Sequence, residues 1–104
     1  MPIPRRLKIG PATYPVTSPH TISAGDGARA SGHWDYETGE LRIARDLNPL
    51  HGQQVDTLIH EALHVINDDR AMGLTEEQVH NLANGVAALL IDNPRLTRWI
   101  QCRE

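Results

Sequence analysis

In Val55-Asp56-Thr57-Leu58-Ile59-His60-Glu61-Ala62-Leu63-His64-Val65-Ile66, apolar residues return every three or four positions, at Val55, Leu58, Ile59, Ala62 and Ile66. That period predicts a helix with one stripe turned to a core and the two histidines projecting from the opposite side. Upstream, Asn48-Pro49 reads as a cap followed by proline at the first helical position. Downstream, the helix should stop around Asn67 to Asp69, with Asp68 and Asp69 terminating it, and Met72-Gly73-Leu74 should turn the chain. Thr75-Glu76-Glu77-Gln78 has the form of a capping box, in which threonine and glutamine satisfy each other's free backbone amides. Val79, Leu82, Ala83, Val86, Ala87 and Leu90 then predict the stripe of a second helix running to about Ile91. Asn93-Pro94 opens a short last helix, with Leu96, Trp99 and Ile100 as its inner face.

The first half has a different texture. It holds six of the seven prolines and five of the eight glycines. Lys8-Ile9 and Thr13-Tyr14-Pro15-Val16 predict brief strands about the Gly10-Pro11 turn. Residues 18–32 are small and polar and read as a surface loop. His33 to Tyr36 and Glu40 to Arg45 flank Glu37-Thr38-Gly39, the clearest hairpin signal in the chain. Trp34 and Tyr36 fall on one face of that hairpin and read as sheet packing. The expected class is α+β: a small, mostly antiparallel sheet packed on two helices with a short C-terminal helix. With 104 residues, 1–104 is expected to be a single domain.

Composition narrows the function. Thirteen acidic against ten basic residues give a net charge of -3, with no clustered basic stripe, so no nucleic-acid partner is expected. The longest apolar run, Val86 to Ile91, is far too short to span a membrane, and the N-terminal stretch lacks the apolar core of a signal peptide. One cysteine can form neither an internal disulfide nor a thiolate zinc cluster. A cytoplasmic protein, monomeric or weakly oligomeric, is the expectation.

His60-Glu61-Ala62-Leu63-His64 carries the chemistry. Histidines four apart lie about 40° apart around a helix and one turn along it, so both imidazoles can share one metal. Zn2+ suits such nitrogen ligands and needs a third from the protein, leaving one position for water. Glu61 points about 100° round the helix from His60 and about 60° from His64, which suits a general base acting on that water better than a ligand. An antiparallel helix pair sets the first turn of the second helix level with His64, which offers Glu76, Glu77 and, one turn on, His80 as the third ligand. A wheel through Val79, Leu82, Val86 and Leu90 places Glu76 nearer the apolar face. His80 otherwise reads as surface, as do His20, His33 and His51.

Leu58 to Ile66, followed by Leu74-Thr75-Glu76-Glu77-Gln78-Val79, Leu82-Ala83-Asn84-Gly85 and Ala88-Leu89-Leu90-Ile91-Asp92-Asn93-Pro94, resembles the small zincin-type proteins encoded by phages and prophages. These resemble minimal ImmA/IrrE-type metallopeptidases within the gluzincin group. The likeness covers residues 31–94 and is strongest over 57–94. It implies a minimal zincin-like fold and a zinc metallopeptidase acting on a peptide or protein in the host cytoplasm. In it His60, His64 and Glu77 hold zinc and Glu61 is the catalytic base. Glu77 comes from the gluzincin register counted back from Val79, and the same register puts Asn81 where a partner orienting a metal-bound histidine would sit. Asn67 and Arg70 occupy positions where metzincins carry Gly and His, which excludes that branch. The competing expectation is a catalytically inactive, zinc-stabilised protein-binding module of a phage.

Overall fold

The computed structural model describes residues 2–102. Strands β1 (Arg6–Ile9) and β2 (Ala12–Thr17) form an antiparallel ribbon, turned at Gly10 with φ 61°. Strands β3 (Gly32–Asp35) and β4 (Glu40–Ile43) form a second. Its turn is built locally: the Asp35 carboxylate accepts from the amides of Glu37 (3.0 Å) and Thr38 (3.3 Å), and Gly39 takes φ 71°. The ribbons join through β2 and β4, which run parallel with Val16 opposite Leu41. The order β1-β2-β4-β3 makes a mixed sheet with β3 on an edge.

Residues 18–31 carry the chain from β2 to that far edge. They form a surface loop, as expected, and a well-anchored one. The Ala24 amide donates to Ala28 O (2.8 Å), the Arg45 amide to Pro19 O (2.9 Å) and the Asp46 amide to His20 O (3.0 Å). Arg29 pairs with Asp46 at 3.1 Å, and Ile22 is buried.

Helix α1 (His51–Asp69) lies between the sheet and helix α2 (Glu76–Asp92), and helix α3 (Pro94–Gln101) follows α2. Among the described residues α2 touches α1 and α3 but no strand, so the molecule is layered as sheet, α1, α2. Two faces of α1 are therefore covered. Thr57, Glu61 and Val65 are buried, and the expected stripe Val55, Leu58, Ile59, Ala62 and Ile66 is half-buried. Leu41, Ile43, Val65 and Val79 are the largest fully enclosed side chains.

Three local expectations are corrected. Asn48 does not cap α1, whose cap position is Leu50. Its buried amide instead donates to Ser31 O (3.0 Å) and Ala44 O (2.7 Å), while its oxygen accepts from Thr57 Oγ1 (2.6 Å), tying β3, β4 and α1 together. Leu82 is exposed, because the α1-facing row of α2 is Val79, Ala83 and Ala87. Trp99 and Ile100 are also exposed, since α3 leaves the end of α2 where only Leu96 and Thr97 are half-covered. The capping box does form: Thr75 Oγ1 accepts from the Gln78 amide (3.1 Å), and Gln78 Oε1 from the Thr75 amide (2.9 Å). Trp34 packs edge-on against Tyr14, 5.3 Å between ring centres, and its indole N–H donates to Asp68 at 2.9 Å; Tyr36 is exposed. No helix among the described residues is long and apolar enough to cross a membrane.

Candidate metal centre

The connection between α1 and α2 sets the height of the site. The Asn67 side chain donates to Leu74 O (3.3 Å) and accepts from the Leu74 amide (3.0 Å), and Gly73 turns the chain at φ 69°. Thr75 then starts α2 opposite the middle of α1. His60 Nε2 lies 2.7 Å from Glu76 Oε1, His64 Nε2 lies 2.9 Å from Glu76 Oε2, and the two Nε2 atoms are 3.2 Å apart.

The third residue at the histidines is thus Glu76, not the expected Glu77. Glu76 stands three positions before Val79 and shares the row Val79, Ala83, Ala87 that faces α1. Glu77 is turned about 100° further round the helix. It is exposed and does not line the cavity. The point on which the two histidines and Glu76 converge lies between α1 and α2, with the Glu76 side chain 68% exposed at its outer end.

The donor set passes a simple test of fit. Zinc bonds of ~2.0–2.1 Å in a tetrahedron put neighbouring ligand atoms ~3.3 Å apart. The nitrogen pair matches this at 3.2 Å, and the carboxylate contacts are slightly shorter. Two imidazole nitrogens and a carboxylate are all electron-pair donors, so their convergence calls for a proton or a cation between them.

Glu61 lines the same cavity from the side of α1 next to Gly32 of β3. It is 5% exposed, yet one of its oxygens belongs to a group with the ligand nitrogens of His60 and His64 in which all atoms lie within 4.8 Å of one another. Gly32 makes room for it. A Cβ there would come 2.7 Å from Thr57 Cγ2 and 3.1 Å from Glu61 Cγ. Burial first, and the Glu76 charge second, push the Glu61 carboxyl up from 4.5 to about 7.

This shift has a signed consequence for the zinc-free protein. Unfolded Glu61 ionises near 4.5 and folded Glu61 near 7, so between these values the folded chain holds the extra proton. Its contribution to stability is full below the lower value and is lost as pH rises through the upper one, a change of roughly 3 kcal/mol. Glu61→Gln removes the titration. Thermal melts of both zinc-free proteins should show the variant gaining on the parent as pH rises across that window; a constant difference would contradict the shift.

A cavity of about 360 Å³ opens over these groups, and Ser31, Gly32, Asp56 and His80 also line it. His80, expected as surface, is exposed but stands beside the site, its ring centre 5.8 Å from that of His60. Asn81 is exposed and is not part of the cavity wall. The asparagine that reaches across is Asn84: with its nitrogen turned to Asp56, it donates to the two carboxylate oxygens at 2.7 and 3.1 Å. Its carbonyl oxygen then faces His80 Nε2 at 3.3 Å. Asp56, His60 and His64 on α1 thus face Glu76, His80 and Asn84 on α2, each row spaced by four. That spacing is the signal by which Asp56 and Asn84 are findable in the sequence.

Comparison with known proteins brings no relative to this site: no family model matches the chain, and no curated protein or solved structure matches it. What the site can do rests on its own atoms.

Proposed function

We propose that this chain is a zinc-dependent metallopeptidase that hydrolyses an internal peptide bond, a small gluzincin-like enzyme of phage or prophage type working in the host cytoplasm. The observation that carries the reading is the convergence of His60, His64 and Glu76 on one point, beside a buried carboxylate that is not among them. His60, His64 and Glu76 would hold the metal. Zinc there supplies a Lewis acid for the amide carbonyl and makes water a better nucleophile at neutral pH.

The chain's own residues do the rest. Glu61 accepts a proton from the attacking water and returns it to the departing amine nitrogen, so no net proton is consumed. A carboxyl with its proton affinity pushed towards neutrality suits both halves of that transfer. Ser31 and Gly32, where edge strand β3 begins, line the cavity. An extended peptide added to that edge would bring its backbone past Glu61.

A second reading is a zinc-pinned protein-binding module, favoured by the exposed apolar side chains of Trp99 and Ile100. Against it stands Glu61: a purely structural site has no use for a buried carboxylate beside an open position, and such sites normally take four protein ligands. Metal analysis of untagged protein and a broad peptide-library cleavage screen separate the two. The expected outcome is about one zinc per chain and cleavage of a restricted set of peptides. Chelation should lower the melting temperature, since metal at a hundred times its Kd adds about 2.7 kcal/mol. Zinc without cleavage would favour the module, and metal that stays sub-stoichiometric after zinc is added back would end both readings.

A further inference from the structure

Asp56 has no part in holding the metal or moving the proton, yet it lines the same cavity. Three carboxylates face that space, Asp56, Glu61 and Glu76, and no lysine or arginine does. A cation held by His60, His64 and Glu76 would be balanced first by Glu76, and Glu61 carries a proton for part of its cycle. Asp56 is thus the carboxylate left with no lysine or arginine partner among the lining residues. It sits four residues before His60 on α1, hence about 6 Å along the helix axis from the first histidine.

The carboxylate is also held in place. With its nitrogen turned towards Asp56, Asn84 of α2 donates to the two oxygens at 2.7 and 3.1 Å. An amide group orients a carboxylate without neutralising it, and an ionised carboxylate offers about four acceptor sites, so capacity remains towards the cavity. Asp56 is half-buried, which weakens the screening that makes exposed ion pairs feeble. A fixed, uncompensated, half-buried carboxylate beside a reaction centre is a receptor for a cation.

We propose that Asp56 selects substrates with a basic side chain, arginine or lysine, close to the bond that is cut. The inference rests on the metallopeptidase reading of the site and adds the class of peptide that enters it. Asp56 is a specificity residue here, with Asn84 positioning it.

The test uses zinc-loaded full-length protein and two blocked probes, Nα-acetyl-arginine hydroxamate and Nα-acetyl-norleucine hydroxamate, titrated by calorimetry. The hydroxamate reports on the metal position and the side chain reports on Asp56. The parent should bind the arginine probe roughly ten- to a hundredfold more tightly, with the preference shrinking as salt is raised. Asp56→Asn should bring the two affinities within about twofold while leaving zinc content and norleucine-probe affinity unchanged; a clamp holding the helices together would instead weaken both probes alike. Equal affinities in the parent, or a preference that survives Asp56→Asn, would overturn the assignment while leaving the metal centre standing. If neither probe binds a zinc-loaded chain, the hydrolase reading falls and this inference with it. Should Asp56→Asn fail to fold, the parent's preference and its salt dependence decide alone.

Discussion

Glu76→Ala is expected to weaken zinc binding far beyond a hundredfold, and Glu77→Ala to change it by no more than a few-fold. The asymmetry follows from the helix. Glu76 brings one oxygen to each histidine, at 2.7 and 2.9 Å, from the row of α2 that faces α1. Glu77 is one step round the helix and exposed. Loss of a residue that only orients a ligand typically costs 10–100-fold in affinity, so loss of a direct ligand must exceed that range. Competition titration against a chelator of known affinity measures both variants side by side. A large loss for Glu77→Ala and a small one for Glu76→Ala would mean that α2 starts one residue out of the register described above.

Glu61→Gln should retain zinc and the fold while lowering hydrolysis of a cleaved peptide by roughly 10²–10⁴-fold, the usual contribution of a positioned general base. Glutamine is nearly isosteric, so it fits the same space beside Gly32, but an amide cannot take a proton from water. The loss should fall on kcat and kcat/KM together, because the interaction removed exists only as the proton moves. A variant that cuts as fast as the parent would show that the proton goes elsewhere. The same substitution is the one expected to stabilise the zinc-free chain at higher pH, so a variant that is stabilised when zinc-free, and inactive when loaded with zinc, is the combined signature of this carboxyl.

The parts of the molecule legible in the sequence are those decided within a few residues. The capping box at Thr75, the Glu37-Thr38-Gly39 turn and the helix around His60 are local, and each stands in the structure as read, although the fully buried row of that helix is Thr57, Glu61 and Val65 and the expected stripe is half-buried. What needed the third dimension was missed. Asn48 looks like a helix cap because asparagine before proline usually is one; here a buried gap between β3, β4 and α1 claims its amide. Leu82, Trp99 and Ile100 carry the right period for an inner face, but a period cannot say whether a partner surface exists to cover it. The third residue at the histidines was decidable in principle. Val79, Ala83 and Ala87 put Glu76 on their own row, and Glu77 was preferred only for the family-like register counted back from Val79. Asp56 and Asn84 lay in plain sight as members of two four-residue ladders, yet a ladder has meaning only once the two helices are known to face each other.

Gly32 makes the strand and the helix a single fitted joint. The clearance between them is one hydrogen atom wide, since a methyl group at residue 32 would meet Thr57 at 2.7 Å and Glu61 at 3.1 Å. Any heavier residue must displace the Thr57 side chain and crowd the stem of Glu61 beside it. The proton chemistry of residue 61 is in this way written partly at residue 32, twenty-nine positions upstream in a different element. A chain drifting in sequence could lose the proposed hydrolysis there with His60, His64, Glu76 and Glu61 all still in place.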